Sequence, residues 1–281
     1  MLKRLSARRR IQRVVTYLSV ACFVFGALFP LYWVVLTSFR PTAVLFKQKD
    51  MLTPRNLSWQ NYIDLFTKRE MGSWLINSTV VTISCTAVSV AIALIAAYSL
   101  ARLKFRGGET MAKSVLFLYL LPQSLLYIPL YIMLSKLGLL NSLWALFLTY
   151  PTFVLPFCTW MLLGYFRTIP QELEDAARID GCTRLQVLIR IVVPLSTPSI
   201  VTATIFSLAT AWNEFLYALV FTNSDQLRTI QAGVSTLRVG DAILWGNIMA
   251  GAVLATIPPV LLYMFLQRYI VEGLTAGAVK G

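Results

Sequence analysis

Six stretches of this chain carry no ionisable side chain: 14–39, 71–101, 114–135, 137–166, 191–213 and 242–267. Each exceeds the roughly 20 residues that a helix needs to cross about 30 Å of hydrocarbon. The pattern predicts an all-α, polytopic membrane protein with six transmembrane helices. The first run is too long, and too little like a short apolar stretch with a small-residue cleavage site, to be a removable signal, and is read as a retained span. The second, about Trp74 to Leu100, is studded with Asn77, Ser78, Thr79, Thr82, Ser84, Thr86 and Ser89. Such side chains want a helical neighbour or water, so this helix should face the bundle or a pathway. Pro122 and Pro129 interrupt the third run, with Gln123 beside the first, and Pro151 and Pro156 interrupt the fourth. A kinked or broken helix here either lines a substrate path or serves packing.

Between the fourth and fifth runs lies a polar island with its own helical pattern. Thr168-Ile169-Pro170-Gln171 fits a capping box, with Thr168 at N-cap and Gln171 at N3. Glu172, Glu174 and Asp175 suit the first turns of the helix that would follow, and Gly181 suits its left-handed C-cap. Thr183-Arg184-Leu185-Gln186 repeats the capping pattern, and Leu185, Leu188, Ile189 and Val192 then keep the spacing of one apolar face as far as Pro194. Two short helices meeting at a glycine would stand out from the membrane by about one helix diameter, roughly 10–12 Å, as a shape that fits a groove. The alternative on pattern alone is an amphipathic segment lying among the headgroups.

Composition agrees with the pattern: 57% of the 281 residues are hydrophobic and 13% charged, and the mean hydropathy is +0.69. The formal charge of +13 would suggest nucleic acid in a soluble protein, but its placement follows the positive-inside rule instead. With the N-terminus inside, segments 1–13, 102–113, 167–190 and 268–280 hold sixteen of the 25 Lys and Arg, which favours an N-in, C-in topology. Segment 40–70, with six basic residues, narrows that margin. This long outer segment, 38–73, also carries Trp59 and Tyr62, read either as interfacial aromatics or as a docking surface. The chain has no histidine, and Cys22, Cys85, Cys158 and Cys182 show no paired spacing, which argues against a disulfide framework and leaves no metal site to build. It also has no Gly-rich loop ending in Gly-Lys-Ser/Thr, so it supplies no nucleotide site.

Glu214 is the one ionisable side chain that falls inside a predicted span when the fifth is taken as Ser199 to Phe221. Such a group is a functional candidate by default. A structural role at an outer gate, contact with substrate and proton coupling are its possible roles. Asn77, Gln123, Asn213 and Glu214 are the pathway or gate candidates.

The island resembles the hallmark loop of the permease subunits of binding-protein-dependent ABC importers: Glu-Ala-Ala, three residues, Gly, nine residues, Ile, any residue, Leu-Pro. Here Asp175-Ala176-Ala177 is followed by Gly181, then by Ile191-Val192-Val193-Pro194, with Asp in place of the first Glu, Glu174 just before it, and Val193 in place of Leu. The resemblance extends from about Trp74 to the end and points to the carbohydrate branch, through Ala211-Trp212-Asn213-Glu214-Phe215 and a tail from Gln267 to Gly281 similar to that of the maltose-type second permease. It implies the fold of a type I ABC importer permease, with a core domain at 74–268 preceded by a basic N-terminus (1–13) and by a first span with its long outer loop (14–73). Segment 168–194 would be the coupling helices and 269–281 a cytoplasmic tail. Glu174, Asp175, Ala176, Ala177, Asp180, Gly181, Ile191 and Pro194 would meet an ATPase, and Gly277, Val279, Lys280 and Gly281 would make a second contact with it. The implied partners are a dimer of ATP-binding subunits holding ATP and Mg, a second homologous permease, an extracytoplasmic solute-binding protein, membrane lipid and a sugar. No cofactor is expected on this chain itself. The rivals are import of a non-sugar solute, an ion-coupled secondary transporter and, from another class, an integral-membrane enzyme.

Overall fold

The computed structural model describes residues 2–45, 52–239 and 242–278. In chain order, α1 (Leu2–Ser38), α2 (Thr42–Leu45) and α3 (Gln60–Thr67) lead to α4 (Met71–Arg102). Then come α5 (Gly108–Leu120), a 3-10 turn at Gln123–Leu125, α6 (Tyr127–Lys136), α7 (Leu143–Thr149) and α8 (Pro151–Phe166). The polar island forms α9 (Gln171–Ile179), α10 (Arg184–Val187), a π-turn at Leu188–Val192 and α11 (Val193–Leu195). The rest is α12 (Thr197–Trp212), α13 (Leu216–Phe221), a 3-10 turn, α14 (Ile230–Ser235), a two-residue antiparallel ladder of β1 (Arg238–Val239) and β2 (Ala242–Ile243), and α15 (Trp245–Ala278).

The contacts divide the chain into two compact units. The smaller comprises residues 1–69 with 237–254, which includes the start of α15. Its centre is Asn61, whose amide donates to the carbonyls of Ser38 and Arg40 at 2.8 and 2.7 Å. A Cβ on Gly246 would lie 2.6 Å from that amide, so the start of α15 needs a glycine there. Trp59 and Tyr62 pack with Phe39 as an aromatic group. The apolar stretch of α1 is exposed from Gln12 to Tyr32, as a lipid-facing helix would be, and becomes buried at Leu36, Thr37 and Ser38.

The larger unit is a helical bundle centred on α4, α8 and α12. Small residues let these helices approach: Ser89, Ala93 and Ala97 on α4, and Ser199, Ala203, Ser207 and Ala211 on α12, are buried at four-residue intervals. Cys158 of α8 meets Ser207 across the interface at 2.9 Å. Of the seven polar side chains of the second run, Asn77, Ser78, Thr82, Thr86 and Ser89 are buried, as the bundle-facing reading requires.

Among the described residues, four helical stretches are long and apolar enough to cross a membrane: Gln12–Ser38, Met71–Arg102, Leu143–Phe166 and Trp245–Phe265. The other two runs depart from single straight spans. In the third, Pro122 offers no N–H and holds Leu121 extended (φ −68°, ψ 133°), so the run splits into helices of 13 and 10 residues. The fifth bends by 82° between Arg184–Leu195 and Thr197–Trp212, where Pro194 and Pro198 flank Ser196. Its helix stops at Trp212 and resumes at Leu216, so Glu214 lies in a break and not within a helix.

Trp74 anchors the segment after α13. Its indole donates to the carbonyl of Asp225 at 2.8 Å, and a Cβ on Gly233 would stand 2.2 Å from its ring. Gly233→Ala should therefore lower stability by about 1–3 kcal/mol through overpacking, read as a lower thermal unfolding midpoint in detergent. An unchanged midpoint would contradict the stacking of this segment on Trp74.

Candidate functional site

The polar island forms a corner of two helices, as its sequence pattern requires. At the end of α9, Gly181 takes φ +87° and donates to the carbonyl of Arg178, while Cys182 donates to that of Ala177 at 3.0 Å. These two bonds make a Schellman stop, which only a residue tolerant of positive φ forms without strain. The second capping box is present: Gln186 N–H donates to Thr183 Oγ1 at 3.3 Å, and Thr183 N–H to Gln186 Oε1 at 2.8 Å. The first is absent. Pro170 immediately precedes α9, so Thr168 lies too early to cap it, and its hydroxyl donates back to Tyr165 at 2.7 Å.

A second departure follows Val187. Pro194 has no N–H for the carbonyl four residues earlier, and the chain inserts a π-turn in which Val193 N–H reaches Leu188. The expected apolar face is thereby divided: Leu188 and Val192 are buried, but Leu185 and Ile189 are exposed.

The corner is tied to the bundle by a buried ion pair. Arg102, the last residue of α4, directs Nε to Glu174 Oε1 at 2.5 Å and Nη2 to the carbonyl of Ile169 at 2.8 Å. The Tyr98 hydroxyl donates to Glu174 Oε2 at 3.2 Å. The two charged side chains are 9% and 7% exposed. Sequence pattern groups Glu174 with residues that meet a partner; the structure turns it inward, because the periodicity of α9 puts Glu174 and Ala177 on its bundle face. Asp175, Ala176, Asp180 and Gly181 remain exposed, Ile191 is half-buried and Pro194 is exposed. The outer surface also presents Leu173 and Ile179, the latter 86% exposed. Sequence reasoning missed Arg102 and Tyr98, whose partner lies more than seventy positions away. Of the proposed second contact, Gly277 belongs to α15, whereas Val279, Lys280 and Gly281 lie outside the described residues.

The pathway candidates separate into two places. Gln123, Asn213 and Glu214 line one open depression of about 480 Å³, together with Phe206, Thr210 and Phe215. Glu214 caps α13, accepting from the amides of Tyr217 and Ala218 at 2.8 and 3.1 Å, and so stabilises the positive end of that helix. The Tyr217 hydroxyl bonds the carbonyl of Gln123 at 3.1 Å, which joins this break to the one at Pro122. Asn77 lies elsewhere, bonded to the carbonyls of Gln226 and Arg228, and is an anchor for the segment beyond α13. Among the described residues no three carboxylate, thiol or imidazole groups come together as a metal would require.

Spanning helices, breaks lined with polar groups and an exposed helical corner define a multi-pass transport component of the cytoplasmic membrane. The chain belongs to the family of binding-protein-dependent transport system inner membrane components, whose model matches residues 4–275. It is 36% identical to the sulfoquinovosyl glycerol transport system permease protein SmoH of Agrobacterium fabrum, over 94% of this chain and 93% of that one. It is 33% identical to the trehalose/maltose transport system permease protein MalG of Thermococcus litoralis, over 96% and 98% of the two chains. The fold matches a chain of a bacterial ABC transporter involved in the import of the polysaccharide alginate, with a TM-score of 0.81, 21% identity, and coverage of 92% of this chain and 96% of that one. The chain is thus an ABC importer permease.

Breaking the buried pair from one side should cost about 3–5 kcal/mol, since it strands a charge in a poorly solvated site. Arg102→Ala is expected to show this loss in thermal or denaturant unfolding, and Arg102→Leu combined with Glu174→Leu a much smaller one. Equal losses in the two variants would mean that the pair is not buried as described.

Proposed function

We propose that this chain forms half of a translocation path for a sugar or oligosaccharide, in an importer driven by a separate dimer of ATP-binding subunits that dock on the α9–α10 corner. The observation that carries this reading is the corner's two-sided construction. One face is bonded to α4 through Arg102 and Glu174, and the other leaves Leu173, Ile179 and Leu185 in solvent. An exposed apolar surface on a polar projection is the mark of a partner site. Motion of a partner seated there would reach the bundle through the end of α4 and alternate its access. An N-in, C-in topology puts the corner in the cytoplasm, where ATP is.

The sugar assignment draws on the named relatives, which serve sulfoquinovosyl glycerol and trehalose/maltose. It also suits the depression at the α12–α13 break, where Gln123, Thr210 and Asn213 lie beside Phe206 and Phe215. Amides and hydroxyls next to aromatic faces match a solute that is polar at its rim and apolar on its ring faces. A solute-binding protein outside and a second, homologous permease completing the path follow from the same reading. The tail at 277–281 is a second place for the ATP-binding subunits to touch.

Uptake in intact cells should collapse on ATP depletion and persist with an uncoupler; the reverse would identify an ion-coupled carrier. Gly181→Pro removes the amide bonded to Arg178 and forbids φ +87°. Its uptake should fall by at least about tenfold, a loss equivalent to roughly 1.4 kcal/mol, with membrane insertion intact. Normal uptake in that variant would remove the corner from the mechanism.

A further inference from the structure

We propose that the cavity between the end of α4 and α9 binds the phosphate of an anionic lipid headgroup. This cavity, of about 360 Å³, is lined by Tyr98, Arg102, Lys104, Glu174, Arg178 and Arg184, with Asp175 at its edge. Four cations face two carboxylates there, and the pairing leaves an excess of positive charge. Arg102 is committed to Glu174, and Arg178 stands 3.8 Å from Asp175 in a solvated pair. Lys104 and Arg184 have no carboxylate at ion-pair distance among the described residues. Two uncompensated cations over a fixed guanidinium are suited to a phosphodiester, which a guanidinium binds through its planar fork.

The depth of the cavity selects a lipid. The 32 residues of α4 rise by about 48 Å, which matches the roughly 40–45 Å of a bilayer including its headgroups. Arg102 closes that helix, so the cavity opens at headgroup level. A second open cavity shares Leu103 and Lys104 with it and adds Arg106, Arg167 and Glu109, the last paired with Lys113 at 2.8 Å, so the rim beside it stays net basic. The neighbouring Phe105 and Met111 are exposed apolar side chains of the kind that enter the interface. Basic pockets at the ends of membrane helices hold anionic headgroups in this manner. The lipid would brace the same joint that ties α9 to α4.

The test uses the full-length chain, purified from membranes with the subunits that accompany it and titrated with cardiolipin in discs of phosphatidylcholine. Native mass spectrometry should show bound cardiolipin on the wild type. Lys104→Gln combined with Arg184→Gln should bind it about thirtyfold more weakly, from roughly fivefold for each basic residue near the membrane surface. Equal retention in the two proteins overturns the proposal. Inorganic phosphate raising the unfolding midpoint of the wild type alone, in neutral lipid, would assign the site to a soluble anion and overturn the lipid. A variant that keeps its cardiolipin but sheds its accompanying subunits would assign the pocket to a protein partner, and overturn it equally.

Discussion

A backbone amide or carbonyl left without a partner in hydrocarbon costs several kcal/mol, and the interior of this protein is organised around that constraint. Its membrane helices are interrupted at Pro122 and at residues 213–215, α15 carries Pro258-Pro259 in its interior, and side chains bond backbone groups at all three places. Tyr217 bonds the carbonyl of Gln123, and Glu214 holds the amides of Tyr217 and Ala218. Pro259 has no N–H for the carbonyl of Ala255, and the indole of Trp212 donates to it at 3.0 Å. Trp212 is also the last residue of α12, so the break after that helix and the proline pair in α15 are joined by one hydrogen bond. Irregular backbone is accommodated at these points by side chains that supply donors and acceptors.

The same reasoning applied to charge explains the corner. Glu174 and Arg102 are each too poorly solvated to stand alone, so burying either requires the other. The bond between them converts a short surface helix into an extension of α4. A Schellman stop and a capping box set the angle between α9 and α10 by local backbone bonds. The corner is therefore stiff within itself and attached at its inner face, which suits an element that transmits displacement.

Much of this was legible in the sequence, for identifiable reasons. Charge-free runs locate α1, α4, α7 with α8, and α15, since hydrocarbon thickness alone sets their length. Gly181 and the Thr183–Gln186 box could be read because both are local, closing within a few residues. The Thr168 box failed although its letters fit, because Pro170 delays the helix until Gln171. The break in the third run could be read from Pro122, whereas the bend in the fifth could not, because an apolar run records only that a segment belongs in lipid and not the angle its prolines impose.

The sequence by itself determined that the chain is a multi-span membrane protein with a polar helical corner of family-specific spacing, since hydropathy and helix caps are properties of neighbouring residues. Tertiary structure alone decided which charges of that corner face inward. It also decided that Gln123 and Glu214 share a depression while Asn77 does not, and that Trp212 completes a carbonyl in α15. Each of these contacts joins positions between about forty and a hundred and fifty apart in the chain, and pairing at that range is set by the packing of helices, which no local pattern encodes.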